Sequence, residues 1–214
     1  MPRPAAGYKT QDGEKVPGCT TITNLWPFNK GQLMHWAWNE GMEGRNYRDS
    51  SEKATTVGTI VHAIVEAELH HNPWPSVPPE HKDQVDKAVL GFYEWRDNSR
   101  LEVTESEVSL VSEVYRFGAT LDHPARINGR RVILELKTSN DLYGDMLIQL
   151  AAQGVVWDEK RFEDQHQGFH LLRIGKDDGS FHHAYYPKGA PKMEVAWKAF
   201  LLLRELYDLK VHLK

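Results

Sequence analysis

Hydrophobic residues recur at helical spacing in the first half of the chain and follow strand-like patterns in much of the second half. Three helices are predicted in the first half: one after Pro27 that carries Leu33 and Trp36, one over about Thr56–His71, and one over 80–98. Residues 41–53 are polar and predict a loop, and the proline-rich residues 71–80 predict a break before the third helix. The first half of the chain is therefore expected to be helical.

The second half contains the patterns of two β-hairpins. The runs VSLVSEVYRFGATLD and RRVILELKT predict strands joined through Asn128-Gly129, a dipeptide that strongly favours a tight hairpin turn. The runs GFHLLRI and SFHHAYY predict another hairpin around residues 176–179. Two more helices are predicted, over about Asp145–Trp157 and about Pro191–Lys210. This order predicts a mixed α/β (α+β) fold with a central sheet and a helical N-terminal portion.

Length and composition indicate one globular domain. The 214 residues are 40 % hydrophobic and 26 % charged, which is ordinary for a globular protein. Residues 1–18 contain prolines, glycines and charges and predict a flexible lead-in, so a single domain over 19–214 is expected. No apolar run approaches the ~20 residues of a membrane helix. The N-terminus also has no apolar signal core, and we expect a cytoplasmic protein without a membrane partner.

Charge and cysteine content exclude some functions. The net charge of −4 argues against a protein that coats nucleic acid through its overall charge. A single cysteine, Cys19, excludes an intramolecular disulfide framework and a four-cysteine zinc or iron–sulfur site. The sequence has no phosphate-binding loop of the G-x-x-x-x-G-K-S/T type, so chemistry driven by nucleotide hydrolysis is not expected.

The Asn128-Gly129 turn predicts which side chains meet across the first hairpin. A two-residue turn pairs Asp122 with Glu135, and opposed Cβ atoms in such a pair are ~5 Å apart. Lys137 lies on the same face as Glu135, because side chains alternate along a strand. Pro124 cannot donate to the ladder, and a bulge there would move Asp122 to the other face. The convergence of two carboxylates and a lysine therefore depends on the register at Pro124.

Two carboxylates facing each other in apolar surroundings repel each other and need compensation. One interpretation is a structural ion-pair trio in which Lys137 neutralises Asp122 and Glu135. That trio leaves one carboxylate uncompensated, whereas a hard divalent cation would compensate both. Carboxylates with water and phosphate oxygens are suited to Mg²⁺ or Mn²⁺. The pattern therefore favours a site for one or two of these ions.

A histidine on the second predicted helix supplies a further candidate ligand. Thr59, His62 and Glu66 form one polar stripe on a helix that is otherwise largely apolar. Gly58, one turn earlier, permits a close approach of the helix backbone. The same stripe extended to His70 leaves a second reading open, a zinc hydrolase that uses His62, Glu66 and His70. That reading leaves Asp122 and the Glu135/Lys137 strand unexplained.

Four motifs in order resemble the PD-(D/E)XK nuclease superfamily, specifically the RecB-like exonuclease branch found in phages and DNA-repair systems. GTIVHAIVE is similar to that branch's histidine motif, GATLDHPARI to the strand with the metal-binding aspartate, VILELKT to the E-x-K strand, and QLAAQ to the glutamine-led helix. The resemblance covers residues 57–157 and implies a restriction-endonuclease-like core, a central mixed sheet flanked by helices. Gln153 stands where the glutamine motif usually has tyrosine.

The resemblance implies a role for each matched residue. The metal ligands would be His62, Asp122, Glu135, the Leu136 carbonyl and Glu66, the last directly or through His62. Lys137 would orient the attacking water and stabilise the transition state, and Gln149 would position the lysine or the DNA strand. The implied activity is a Mg²⁺- or Mn²⁺-dependent DNA exonuclease with 5′-phosphate products, in phage or bacterial recombination or repair. A recombination or single-strand-binding protein is a possible partner.

DNA contacts are the least constrained part of the prediction. The candidates are polar or basic residues near the expected site: Thr20, Thr21, Arg45, Arg48, Arg126, Arg131, Thr138 and Gln153. Ordinary solvated surface charge is the alternative interpretation for the arginines. Tryptophans near the N-terminus, Trp26, Trp36 and Trp38, would stack bases or belong to the core. A catalytically inactive nuclease fold that only binds DNA also remains open.

Overall fold

A computed structural model describes residue 4 and residues 6–28 and 30–213, and that part of the chain contains six α-helices, one short 3₁₀ helix (Pro79–His81) and nine strands. The helices are α1 (Cys19–Thr23), α2 (Lys30–Met42), α3 (Tyr47–Leu69), α4 (Lys82–Ser99), α5 (Gly144–Lys160) and α6 (Pro191–Val211). The strands are β1 (Tyr8–Lys9), β2 (Lys15–Val16), β3 (Leu101–Val103), β4 (Val108–Ser112), β5 (Phe117–Leu121), β6 (His123–Ile127), β7 (Arg130–Lys137), β8 (Gly168–Ile174) and β9 (Phe181–Pro187).

The central sheet has five strands in the order β3-β6-β7-β8-β9. Strands β7 and β8 are parallel, connected through α5, and the other neighbours are antiparallel. Strands β1 and β2 and strands β4 and β5 form two separate antiparallel pairs. The prediction of a mixed α/β fold with a central mixed sheet flanked by helices is confirmed. Among the described residues, no helix is both long and apolar enough to cross a bilayer.

The sheet separates two hydrophobic cores. Alternation along β7 directs Ile133 towards the core that contains α5 and α6, and it directs Val132, Leu134 and Leu136 towards the core that contains α3 and α4. Both faces of β7 are therefore covered, which explains its nearly continuous apolar sequence. A charged residue on this strand is desolvated unless it lies near the strand end.

The predicted register of the first hairpin is confirmed from the Ile127–Arg130 pair to the His123–Leu134 pair. The predicted Asp122–Glu135 pair is wrong, because β6 begins at His123 and the chain bends at Asp122. Asn128 and Gly129 both have positive φ, as a type I′ turn requires, and Ile127 pairs with Arg130. The pairing continues without a bulge through Pro124 and Ile133. Hydrogen-bonded and non-hydrogen-bonded pairs alternate in an antiparallel ladder, and the Pro124–Ile133 pair falls at a non-hydrogen-bonded position. The missing N–H of Pro124 therefore costs the β6–β7 ladder no hydrogen bond.

Helix α3 begins earlier than predicted. Residues 47–53, assigned from sequence to a polar loop, form its first turns. Asn46 is the N-cap, and its side chain accepts a hydrogen bond from the Arg48 N–H at 3.1 Å. Because these first turns bury little surface, their residues are polar and lack the apolar periodicity on which the prediction depended. The loop prediction was wrong for this segment.

The N-terminal segment, predicted to be a flexible lead-in, contains the β1–β2 hairpin. Residues 1–3 and 5 lie outside the described residues. The side chain of Tyr8 is buried against Gly118 on β5, and its hydroxyl is 2.8 Å from the Thr120 hydroxyl. The Gly118 N–H also donates to the Pro17 carbonyl at 2.9 Å. The described part of the lead-in is therefore packed onto the β4–β5 pair, and the single domain over 19–214 remains a prediction.

We expect Gly118→Ala to lower the free energy of unfolding by about 1–3 kcal/mol, the usual cost of overpacking. A Cβ at position 118 would lie 2.0 Å from the Cγ of Tyr8, so the hairpin must shift. Urea unfolding followed by circular dichroism measures the change. Gly31→Ala is the control, because nothing lies within 4 Å of a Cβ at that position. Equal stability of Gly118→Ala and wild type would contradict this packing.

Candidate active site

Polar side chains converge at the carboxyl end of β7, where the chain bends at Asp122 between β5 and β6. The Asp122 Oδ2 atom accepts a hydrogen bond from the Leu136 N–H at 3.1 Å. The backbone pairing of β6 with β7 stops at His123 and Leu134, so this side chain takes the place of a β6 backbone acceptor for Leu136. The N–H and C=O of one residue point to the same neighbour in an antiparallel pair. The Leu136 carbonyl, a predicted ligand, therefore faces the Asp122 side.

Helix α3, which covers the face of the sheet that carries Leu134 and Leu136, brings His62 to Asp122. Its Nδ1 atom lies 3.8 Å from Asp122 Oδ2. The helix approaches closely because Gly58 faces Thr138, the first residue after β7. A Cβ on Gly58 would lie only 2.7 Å from the Thr138 hydroxyl oxygen. The predicted close approach at Gly58 thus fixes the distance between the histidine helix and the strand end.

Glu107 completes a cluster that sequence reasoning missed. One ligand atom from each of Glu107, His62 and Asp122 lies within 4.8 Å of the other two, and all three residues are partly buried. Glu107 has φ of 53°, and its N–H donates to the Asp122 carbonyl at 2.8 Å. Burial and the nearby Asp122 carboxylate raise the pKa of Glu107 to about 7. The backbone bond fixes the glutamate beside the aspartate despite their repulsion.

Glu135 lies beneath this cluster in a hydrogen-bonded network with α5. Its side chain is 1 % exposed; one carboxylate oxygen accepts from Lys137 Nζ at 2.6 Å and Gln149 Nε2 at 2.8 Å, and the other accepts from Gln153 Nε2 at 2.9 Å. Burial and then Asp122 raise the pKa of Glu135, partly offset by Lys137. Burial opposes the charge of Lys137, but Glu135 and Asp122 outweigh it and raise the pKa of the lysine.

Lys137 is consequently held as a cation whose position is determined by two partners. Its Nζ atom also donates to Gln149 Oε1 at 3.3 Å, so the glutamine amide bridges the lysine and Glu135. Asp122, Glu135 and Lys137 line one cavity of about 280 Å³, together with His62, Glu107 and Gln149. Thr20 and Thr21, at the start of α1, line the same cavity. The hairpin and the helix motifs therefore meet in one site.

The zinc-binding set considered from sequence does not assemble. His70 is exposed, and its Nε2 atom is 2.9 Å from the Ser106 hydroxyl, which in turn is 3.0 Å from His123 Nδ1. Glu66 is partly buried on α3 but lies outside the cluster of His62, Glu107 and Asp122. Among the described residues, His62 is thus grouped with carboxylates from the sheet side and not with His70. A ligand role for Glu66 remains a prediction.

The predicted DNA contacts fall in different places. Arg126 and Arg131 bind Asp164 near the Asn128-Gly129 turn, at the opposite end of β7 from Lys137. Arg45 is paired with Glu40 and Glu43 on α2 and just after it. Of the remaining candidates, Thr138 follows β7 beside the site, whereas Arg48 is exposed at the start of α3. The structure does not bring these arginines to the cavity that Asp122, Glu135 and Lys137 line.

Gln153 has a different environment from the one that a DNA contact requires. Its side chain is fully buried, and its amide donates both to Glu135 and to the Thr120 carbonyl, at 2.9 and 3.0 Å. The i, i+4 spacing of Gln149 and Gln153 places both on the face of α5 that covers Glu135. Gln153 therefore positions the buried carboxylate and does not face a strand of DNA.

The donor set fits a hard divalent cation. Two carboxylates and one imidazole nitrogen converge within 4.8 Å, a combination that suits Mg²⁺ or Mn²⁺ when water and phosphate oxygens complete the coordination. Burial and the Asp122 carboxylate both raise the pKa of Glu107, so the two carboxylates repel each other in this cluster. A cation bound here would remove that repulsion. His62, Glu107 and Asp122 are therefore the residues that could hold it.

Comparison with solved structures returns distant matches that include exonucleases. A candidate exonuclease of Eubacterium rectale matches with a TM-score of 0.44 at 12 % identity, over 68 % of this chain and 64 % of that protein. An alkaline exonuclease of Laribacter hongkongensis matches with a TM-score of 0.36 at 14 % identity, over 73 % and 86 %. SSO0001 matches with a TM-score of 0.35 at 18 % identity, over 69 % and 71 %.

This chain thus spans less than two thirds of the length of the Eubacterium rectale protein. With TM-scores this low, these likenesses carry no argument about activity. The sequence matches no protein-family model and no curated protein.

Proposed function

We propose that this protein is a Mg²⁺- or Mn²⁺-dependent deoxyribonuclease whose active site is the cavity at the carboxyl end of β7. The observation that supports this most directly is the clustering of His62, Glu107 and Asp122 beside a lysine held by Glu135. The ion pair between Lys137 and Glu135 does not include His62, Glu107 or Asp122. The remaining carboxylates and the imidazole border a cavity large enough for a phosphate group.

The metal would be held by His62, Glu107 and Asp122, with the Leu136 carbonyl and Glu135 as further candidates. A bound cation would supply Lewis acidity towards the scissile phosphate and would lower the pKa of a coordinated water. Glu135 accepts three hydrogen bonds from protein groups, so its main role in this proposal is to orient Lys137. The ligand set therefore differs from the sequence prediction by the addition of Glu107 and the omission of Glu66.

Lys137 would act on the attacking water and on the charge that develops on phosphorus. Its ammonium group is fixed by Glu135 and Gln149, so it requires little reorganisation when that charge appears. Gln149 positions the lysine, and Gln153 positions Glu135 from behind. The charge of the lysine is stabilised by two nearby carboxylates, which maintains a proton donor and electrostatic partner at neutral pH.

Exonuclease action, 5′-phosphate products and a role in phage or bacterial recombination or repair are the finer parts of the proposal. They derive from the motif resemblance, and the enclosed position of the site is compatible with them. Glu135 is almost completely buried, and the cavity is bounded by α1, α3 and α5, so a free strand end has easier access than the middle of a duplex.

The test is cleavage of end-labelled linear DNA and closed-circular DNA in Mg²⁺, in Mn²⁺ and in EDTA. We expect metal-dependent loss of the linear substrate and persistence of the circle. Products should accept radiolabel from a polynucleotide kinase only after phosphatase treatment, because a 5′-phosphate blocks labelling. Cleavage that continues in EDTA would contradict metal dependence, and equal loss of circles would contradict the exonuclease assignment.

A further inference from the structure

A second, larger cavity opens next to the candidate active site. Its volume is about 930 Å³, and it shares His62 and Lys137 with the candidate active-site cavity, so the two adjoin at these side chains. Its lining comes from α1, α2 and the segment between them, from α3, and from the segment that follows β7 together with the start of α5. Lys176, from the β8–β9 turn, lies at the edge, and its Nζ donates to the Ala54 carbonyl at 3.2 Å.

This groove presents flat apolar side chains. Trp26, Trp36 and Tyr143 line it and are only partly buried, and Leu33, also in the lining, is 60 % exposed. Trp26 packs against Gly144 at the start of α5, which fixes the orientation of the ring beside the active site. Half-exposed aromatic rings in a concave site suit a ligand that has planar faces of its own.

The charge of the groove is opposite to that of the whole chain. The lining contains three lysines, Lys30, Lys137 and Lys176, and among the described residues Asp145 is its one carboxylate. The chain as a whole has a net charge of −4. Hydroxyl and amide groups from Thr23, Ser51, Thr138 and Asn140 add hydrogen-bonding partners between the lysines and the aromatic rings. The groove therefore favours a polyanion.

We propose that this groove binds single-stranded DNA and leads an unpaired strand to the site at Lys137; the inference rests on the proposed nuclease function. Bases would stack on Trp26, Trp36 and Tyr143 while lysines contact phosphates, the combination typical of sequence-tolerant single-strand binding. A duplex hides its base faces in its own stack. The volume of the groove is in the range of small-ligand sites. It can hold a few nucleotides but is too small for a turn of duplex.

The test is binding of a short fluorescein-labelled oligothymidylate, measured by fluorescence anisotropy in EDTA so that binding is separated from hydrolysis. We expect Trp36→Ala to weaken binding about tenfold or more, the effect of losing one stacked base. Trp38→Ala is the matched control, because Trp38 is on the same helix, is 59 % exposed and stacks on His35 outside the groove. Trp36→Phe, which retains an aromatic face, should recover most of the affinity.

The salt dependence of binding tests the contacts between the lysines and phosphates separately. The double variant Lys30→Ala/Lys176→Ala should reduce the slope of log K against log salt by about 1.4, since each phosphate contact contributes ~0.7 for single strands. Lys192→Ala/Lys198→Ala, on α6, should leave the slope unchanged. Equal binding by the Trp36→Ala and Trp38→Ala variants would overturn the proposal, as would tighter, Trp36-dependent binding of a blunt duplex of the same length.

The binding result can be interpreted whatever the outcome of the cleavage assay. Wild-type protein that cleaves DNA but binds the oligothymidylate without dependence on Trp36 would overturn the groove and leave the nuclease proposal intact. Wild-type protein that binds through Trp36 but never cleaves DNA would support the groove as a single-strand site and overturn the enzymatic proposal.

Discussion

Replacing Lys137 with alanine should reduce DNA cleavage by about 100- to 1,000-fold, the usual cost of losing one preorganised group that stabilises transition-state charge. Among the described residues, Lys137 is the one lysine that lines the proposed active-site cavity, and its ammonium group is fixed there by Glu135 at 2.6 Å and Gln149 at 3.3 Å. Initial rates on end-labelled linear DNA at saturating Mn²⁺ measure the effect. Lys160→Ala, which removes a partly buried ion pair with Glu113 outside this cavity, should retain wild-type activity.

The same substitution also affects stability, and the two effects must be separated. Removing Lys137 leaves the Glu135 carboxylate buried without its cation, which in comparable cases costs about 3–5 kcal/mol. Circular dichroism and urea unfolding therefore accompany the rate measurement. Lys137→Gln keeps a hydrogen-bond donor near Glu135 without the charge, and we expect it to fold and to be similarly inactive. Unchanged activity in a folded charge-removing variant would exclude the proposed role.

The sequence predicted the sheet better than the start of α3 because the hairpin is specified locally. Asn128 and Gly129 impose the turn, and the turn imposes every cross-strand pair as far as His123. Pro124 does not shift the register, because it occupies a non-hydrogen-bonded position in the β6–β7 ladder. Helix α3 begins in polar residues capped by Asn46, and an exposed helical turn has no apolar periodicity to detect.

Glu107 could not be predicted from local pattern because its place in the site depends on tertiary structure. It lies in an acid-containing segment between β3 and β4, with no regular spacing relative to the other ligands. Only the pairing of β4 with β5 and the backbone bond to Asp122 bring its carboxylate to the cluster. By contrast, the buried role of Gln153 was detectable, since its four-residue spacing from Gln149 places both amides on one helix face.

Mn²⁺ or Mg²⁺ should raise the melting temperature of wild-type protein and not that of Asp122→Asn. A ligand at a hundred times its Kd stabilises the folded state by about 2.7 kcal/mol, which is about 5–10 °C for a chain of this size. Asp122 contributes to the ligand cluster and contacts both His62 and the Leu136 N–H. Asparagine retains an oxygen that can accept the hydrogen bond from the Leu136 N–H. The substitution should therefore abolish the stabilisation by the cation without removing this hydrogen bond. Thermal unfolding across a metal titration measures it.

Without metal, Asp122→Asn should not lower the melting temperature. In EDTA, Asp122 raises the pKa of both Glu107 and Glu135, which means that its charge opposes theirs in the folded state. Asp122→Asn removes that repulsion, so the variant should unfold at the same temperature as wild type or at a higher one. Asp164→Asn, at the far end of the sheet beside Arg131, should keep the full response to Mn²⁺. Carboxylates placed together for metal binding lower the stability of the folded protein until a cation binds. A purely structural ion-pair trio would instead be weakened by Asp122→Asn both with and without metal.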